Sequence, residues 1–385
     1  MARRRVGISL LAFSPSKLAG QGTYTLGLTR ALANRDVHEY LVLVPPKYED
    51  LWREVLPPTT RFLRCGPDPE HRVRRVLFEQ RSIPEIAARH GIDTFFFPHM
   101  VAPNWRFPAA IVTVYDLLLL SERTDFPWYK RLYHRWSYAQ LKSRATHILT
   151  ISEFCRHDIL TKLRTPPDRI SVAYPGLDPE FRDPPLNTTA DPYPVEGAYV
   201  LSVAGAYPHK RLDIVLDAFS AIAGERRDLH LVLAGTHTGQ PGAIGHLRRQ
   251  AEATGLGSRI LFLPRLPRTQ IPDLFARATA LISASEFEGF GIPVLEAMAM
   301  CCPVAATPAD AVEEVLGGYG WLADNYSAAS LAVAVKQAAR ARVDDTRRLM
   351  AARDRALTTF AWDRSAAVLE GLFACVVPPH TAREQ

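Results

Sequence analysis

Two carboxylates eight residues apart, Glu288 and Glu296, bracket the segment Gly289-Phe290-Gly291-Ile292-Pro293. Gly289 and Gly291 let a backbone approach a ligand closely, and Pro293 suits the start of a helix, where free N–H groups and the helix dipole attract anions. Glu288 and Glu296 would then accept hydrogen bonds from hydroxyls at two ends of one polyhydroxylated, negatively charged ligand. Upstream, the run Val203-Ala204-Gly205-Ala206-Tyr207-Pro208-His209-Lys210-Arg211 passes from an apolar strand pattern through a glycine to a cluster of cations. Lys210 there is the leading catalytic candidate. Both patterns also have plainer readings, since an acid in the first turn of a helix and an exposed lysine before one are common.

These groups need elements to hold them. Strand-like runs alternate with helix-period segments along nearly the whole chain, which predicts an α/β fold of parallel sheets covered by helices. Strands are expected over Val6 to Phe13, Tyr40 to Val44, Thr94 to Phe97, Ile111 to Tyr115, His147 to Ile151 and Ile170 to Ala173, with Ser152 as the N-cap of a following helix. A second series covers Tyr199 to Ala204, Leu229 to Ala234, Ile260 to Leu263 and Ala280 to Ser283, with helices over Leu212 to Ala223 and Ile244 to Ala253. Six prolines crowd the stretch between Pro175 and Ala198, where the periodicity vanishes. The expected organisation is therefore a domain over 1–178, a linker over 179–198, a second domain over 199–360 and a last helix over 361–377. Two doubly wound, Rossmann-like domains of this kind would face a central cleft, where ligands meet the carboxyl ends of strands.

Composition narrows the class. With 385 residues, 47% apolar and 22% charged, the chain can bury two cores and reads as globular, with disorder expected only after Pro378. Its five cysteines form no CxxC pair, which argues against a zinc site or a disulfide framework and fits a cytoplasmic setting. Arg3-Arg4-Arg5 before an apolar run superficially resembles a signal peptide but reads better as the lead-in to a buried strand, and no run approaches the ~20 residues of a membrane span. A net charge of +6 suggests acidic partners; nucleic acid rests on charge alone and is not expected. Lys130, Arg131, Arg135, Lys142 and Arg144 share a likely helix with Trp128, Tyr129, Tyr133, Trp136 and Tyr138. That mixture fits either a peripheral contact with the inner face of the cell membrane or a solvated face over a core stripe. No Gly-x-Gly-x-x-Gly follows the first strand, which argues against a nicotinamide dehydrogenase, and no Asp-x-Asp occurs, so no metal is expected.

The stretch from Ser285 to Met298 resembles the signature of the family 4 glycosyltransferases, retaining enzymes of the GT-B fold and similar here to bacterial mannosyltransferases. The resemblance continues through Gly20-Gln21-Gly22-Thr23-Tyr24, Tyr115-Asp116-Leu117, Ile151-Ser152-Glu153-Phe154, Pro175-Gly176-Leu177-Asp178-Pro179 and Phe360-Ala361-Trp362-Asp363-Arg364, covering roughly residues 6 to 375. It implies that Lys210 grips a donor diphosphate, with Arg211 as a second cation because His209 replaces the usual arginine. It also implies that Glu288 and the Phe290 and Gly291 amides meet the transferred sugar or phosphate, that Glu296 holds the ribose, and that Arg265 lies where the nucleobase is framed. Gly22 and Gly205, like Gly289, would line the donor site. Asp116 is carried over as a catalytic candidate, while Tyr115 replaces a histidine and His99 becomes a further acceptor-side candidate, with a structural histidine as its other reading. The last helix would cross back to the first domain. The implied reaction is metal-independent and uses no cofactor, moving a sugar such as mannose from a nucleotide sugar to a glycan, lipid-linked or small-molecule acceptor. Alternatives are a non-catalytic sugar-nucleotide-binding subunit and a sugar-nucleotide epimerase or phosphorylase of the same fold.

Overall fold

Alternating apolar runs and amphipathic segments resolve into two all-parallel sheets. The computed structural model describes residues 3–15, 20–100, 104–105, 108–120, 128–182, 197–236, 238–239, 242–264 and 266–376, with side chains described at all of these but 119, 128–131, 133–134 and 143. The described chain divides into two units, one running to Gly176 and resuming at Ala361, the other formed by Leu177–Phe360.

In the first unit β1 (Arg5–Ser9) leads to α1 (Gly20–Arg35), β2 (Glu39–Val44), α2 (Glu49–Val55), β3 (Arg61–Arg64), α3 (Arg72–His90), β4 (Thr94–Phe97), β5 (Ala109–Val114), α4 (Trp128–Arg144), β6 (His147–Thr150), α5 (Glu153–Lys162) and β7 (Ile170–Val172). The strand order is β3-β2-β1-β4-β5-β6-β7. In the second unit come β8 (Tyr199–Val203), α6 (Leu212–Ala223), β9 (His230–Ala234), α7 (Ala243–Ala253), β10 (Ile260–Phe262), α8 (Ile271–Arg277), β11 (Ala280–Ser283), α9 (Ile292–Ala299), β12 (Val304–Ala306), α10 (Asp310–Leu316), β13 (Trp321–Leu322), α11 (Ala328–Asp344) and α12 (Thr346–Thr359). Here the order is β10-β9-β8-β11-β12-β13. Each sheet grows outward from a central strand, then returns to the centre and grows the other way. The reversal falls between β1 and β4 in one unit and between β8 and β11 in the other.

Helices on both faces explain why β4, β5 and β6 are buried at every residue and are mostly apolar, with only Thr94, Thr113, His147 and Thr150 polar. Ser152 caps α5, its Oγ accepting from the Cys155 amide at 3.0 Å. The first strand is shorter than expected, because the chain turns after Ser9 and the Phe13 amide donates back to the Leu10 carbonyl at 3.1 Å. Strands β3, β12 and β13 were not anticipated: β3 is an edge strand of sequence Arg-Phe-Leu-Arg, and the other two span three and two residues. Such short segments carry little periodicity, and their neighbours decide their pairing.

The stretch expected as a linker is partly built into the second unit. Pro179–Phe181 form a helical turn, Phe181 is fully buried against Phe275, and Asp178 pairs with Arg268 at 2.9 Å. The final helix, α13 (Trp362–Cys375), belongs to the first unit and lies on α1. Trp362 fills a notch that only glycine leaves open, since a Cβ on Gly27 would sit 2.2 Å from its ring and one on Gly176 2.4 Å from its backbone nitrogen. Arg35 and the buried Glu370 complete the contact as a fork with N–O distances of 2.8 to 3.1 Å.

His147 opens β6 with its Nε2 2.9 Å from Ser171 Oγ on β7, and burial, reinforced by the Arg169 charge, pushes its pKa from 6.5 down to about 4. The unfolded chain takes up that proton near 6.5 and the folded one only near 4, so stability should fall as pH drops through this interval. Urea unfolding measured across this range should show the decline, and a His147→Gln variant should show a shallower one.

Candidate active site

In the second unit a pocket opens between the carboxyl ends of β8 and β11, lined by Val203, Ala204, Lys210, Ser285, Glu288 and Gly291 among others. Its position follows from topology: where strand order reverses, the loops leaving two adjacent strands run to opposite sides and leave a gap. The loop after β8 is stitched to the loop after β9. Ala204 donates to Ala234 at 3.0 Å, and Ala206 donates to Thr238 at 2.6 Å and bridges Gly239. Gly205 must stay bare, because a Cβ there would lie 2.5 Å from Thr238 Oγ1 and 2.8 Å from the Tyr207 ring.

Pro208–Lys210 make a single helical turn that brings Lys210 back over the pocket. Its Nζ lies 2.5 Å from Glu288 Oε1, and the same oxygen accepts from Ser285 Oγ at 2.9 Å. Both side chains keep limited access to solvent, 20% for Lys210 and 16% for Glu288, so the pair is reachable yet poorly screened. A backbone bond of 2.8 Å from Glu286 to the His209 carbonyl ties the two loops together. From the other side Thr307, after β12, donates its hydroxyl to the Ser285 carbonyl at 2.8 Å. His209 stands where a cation was expected from the resemblance; burial, then the Lys210 charge, lowers its pKa.

Gly291 adopts φ +96°, immediately before α9, with Pro293 in the first turn. Phe290 is buried and meets Phe360 edge-on at 5.4 Å between centroids, which anchors the turn. Gly289 lies in the same turn. Glu296, on α9, is 3% exposed and its Oε1 lies 2.5 Å from Arg268, which also grips Asp178 and stacks over Phe181 at 4.6 Å. Burial pushes the Glu296 pKa up against the opposing pull of Arg268.

Several expected site residues are placed otherwise. Arg211 does not present a free cation here: its guanidinium is held by both oxygens of Asp213 and by Glu286. Arg265 lies outside the described residues. In the first unit His99 is buried, with Nε2 2.9 Å from the buried Glu79 and its ring edge-on to Phe13 and Phe97, which fits its structural reading. Tyr115 is buried too, its hydroxyl donating to the Pro98 carbonyl at 2.7 Å, so it packs the switch between β1 and β4 rather than offering a free hydroxyl. Asp116 is half-buried, and its Oδ1 accepts from the Leu118 amide at 2.9 Å. Gly22 is buried within the first turn of α1.

A family model described as Glycosyltransferase Family 4 matches residues 18–181, and one described as Glycosyl transferases group 1 matches residues 190–355. The chain belongs to the glycosyltransferases. O-antigen chain mannosyltransferase B of Escherichia coli is 28% identical over 245 residues, covering 61% of this chain and 60% of that protein. Across the first such relatives the match takes in 40% to 60% of the relative's length. Among solved structures, a glycosyltransferase from Rickettsia africae ESF-5 superposes with a TM-score of 0.74 at 16% identity over 100% of both chains. HepE of Anabaena, solved in complex with UDP and glucose, gives 0.70 at 16% identity over 97% of this chain and 100% of that one. Identity this low speaks to fold, and with the two parallel sheets it makes this glycosyltransferase a GT-B protein.

Three residues around this pocket are not among the site residues expected from the sequence. Ser285 and Glu286 sit inside the signature segment but show their partners only when the β8 and β11 loops meet. Arg268 is 28 residues from Glu296 and 90 from Asp178.

The Gly291 conformation is directly testable. A Cβ there would have ordinary neighbours, the nearest at 3.5 Å, so Gly291→Ala isolates the cost of the left-handed backbone, about 1–2 kcal/mol. Thermal unfolding should register a Tm several degrees lower, whereas an unchanged Tm would mean that the turn relaxes into another conformation.

Proposed function

We propose that this protein is a retaining glycosyltransferase that moves a sugar, with mannose the first candidate, from a nucleoside-diphosphate donor to a hydroxyl on a glycan, lipid-linked or small-molecule acceptor. The observation that carries the reading is the ion pair of Lys210 and Glu288, 2.5 Å apart at the reversal between β8 and β11. Without ligand, Glu288 neutralises the ammonium. A bound diphosphate would take its place beside Lys210, leaving the Glu288 carboxylate to accept from sugar hydroxyls. As the bond from the anomeric carbon to the phosphate oxygen breaks, negative charge grows on the leaving diphosphate, and a fixed ammonium stabilises that charge in the transition state. The acceptor oxygen bonds to the same face of the anomeric carbon and its proton passes to the departing phosphate. No external base is then required. A mannosyltransferase among the relatives and a neighbour solved with UDP and glucose support a nucleotide sugar as donor. We also propose that the reaction needs no divalent metal, since a protein cation meets the diphosphate.

Purified protein incubated with GDP-mannose, UDP-glucose and an acceptor panel should release the nucleoside diphosphate and form a linked product insensitive to EDTA. Lys210→Ala should lower the rate roughly 100- to 1,000-fold. Full activity in that variant would end the proposal, and donor consumption without linked product would favour an epimerase or phosphorylase.

The surface of the first unit supports a reading of the acceptor's setting. α3 and α4 cover the same face of the sheet, sharing one core through Ile83, Ala87, Tyr138 and Leu141. Outward, α3 exposes Val73 and Leu77 beside Arg72 and Arg74, and α4, which contains no Asp or Glu, exposes Leu132 and Trp136 beside Arg135. No described helix is long and apolar enough to cross a bilayer. Apolar side chains among arginines suit the headgroup layer of an anionic membrane, which we propose as the place where a lipid-linked acceptor is met. The protein should sediment with phosphatidylglycerol vesicles and not with phosphatidylcholine ones, and Leu132→Glu with Trp136→Glu should abolish this. Equal sedimentation of the double variant would rule this surface out.

A further inference from the structure

Directly behind the Lys210–Glu288 pair the same two loops are joined a second time. Arg211 follows Lys210 and Glu286 precedes Glu288 by two residues, and the Arg211 Nη1 meets Glu286 Oε1. Asp213 fixes the rest of the guanidinium, with Nε and Nη2 distances of 2.9 to 3.2 Å. Arg211 also has φ +45° and ψ +49°, a left-handed conformation that is unfavourable for any residue with a Cβ and persists where surrounding contacts hold it. That strained residue ends the turn on which Lys210 sits.

We propose that the Arg211–Glu286 ion pair is a clasp that positions Lys210 and Glu288 for the phosphate-bearing ligand. Resting on the functional reading of this pocket, it makes Arg211 a positioning residue. A ligand that claims the Lys210 ammonium must separate it from Glu288, removing that side-chain link between the loops. The clasp remains, and with the backbone bond from Glu286 to His209 keeps the loops in register while the ligand sits between their tips. Asp213 orients the guanidinium so that its remaining edge faces Glu286.

Titration calorimetry with UDP and with GDP tests this on the full chain in wild type, Glu286→Gln, Arg211→Gly, Arg211→Lys and the Glu286→Gln/Arg211→Gly double variant. Glycine adopts the left-handed conformation without penalty, so Arg211→Gly removes the clasp and relieves the backbone together. Each of Glu286→Gln and Arg211→Gly should weaken binding of the preferred nucleotide at least tenfold, with Tm within a few degrees of wild type. The double variant should be no weaker than either single, because both remove the same link. Arg211→Lys, which keeps a cation for Glu286, should recover part of the loss. The opposite sign in Glu286→Gln, unchanged or tighter binding, would overturn the clasp and make Arg211 a direct anion ligand once released. Losses that multiply in the double variant, or a loss accompanied by unfolding at the assay temperature, would overturn it as well. Should wild type bind neither nucleotide, the reading of the pocket itself falls and the clasp with it; binding by wild type with indifferent variants removes the clasp alone.

Discussion

Parallel strands cannot be joined by tight turns, and from that constraint the arrangement of the molecule follows. Every connection must cross the sheet, usually through a helix, so all loops leaving the strands emerge at one edge. Where the order of strands reverses, two of these loops diverge and no helix fills the space between them. In the second unit those loops follow β8 and β11, and each brings one charge to the gap. Apart from the single turn at Pro208–Lys210, neither loop is regular structure. Both are nonetheless fixed, one by its stitching to the β9 loop and the other by Thr307 behind it.

The electrostatics of that gap favour use over stability. A pair of charges withdrawn from water gives up hydration that their attraction only partly returns, so a half-buried lysine and glutamate add little to folding. They do supply an ammonium whose field is weakly screened and whose partner can be exchanged for another anion. The Asp178–Arg268–Glu296 network is different in kind. It is deeper on the Glu296 side, backed by Phe181, and links the first residues of the second unit to α9.

Much of this was legible in the residues themselves. The helix over Leu212–Ala223 and the strands over Thr94–Phe97 and Ala280–Ser283 appear at the expected bounds, because long apolar periods between clear breakers leave few alternatives. Lys210 and Glu288, 78 positions apart, were singled out separately and are found in contact. What sequence could not supply was partnership. Arg211 read as a second diphosphate cation, but Asp213 on α6 and Glu286 after β11 hold its guanidinium; His99 read as either acceptor-side or structural, and Glu79 of α3 meets it. Pairings of this kind depend on crossing connections that leave no local periodicity.

The placement of α13 has a consequence for biosynthesis. The second unit is an insertion whose ends lie side by side, the Leu177 amide donating to the Phe360 carbonyl at 3.2 Å, so everything it needs is available once residue 360 has left the ribosome. The first unit, though made earlier, must wait with α1 uncovered for the Trp362 ring and the Glu370 carboxylate. The side chains that cover α1 therefore come after the whole second unit in the chain, so the first unit lacks part of its own cover until almost all of the second has been made.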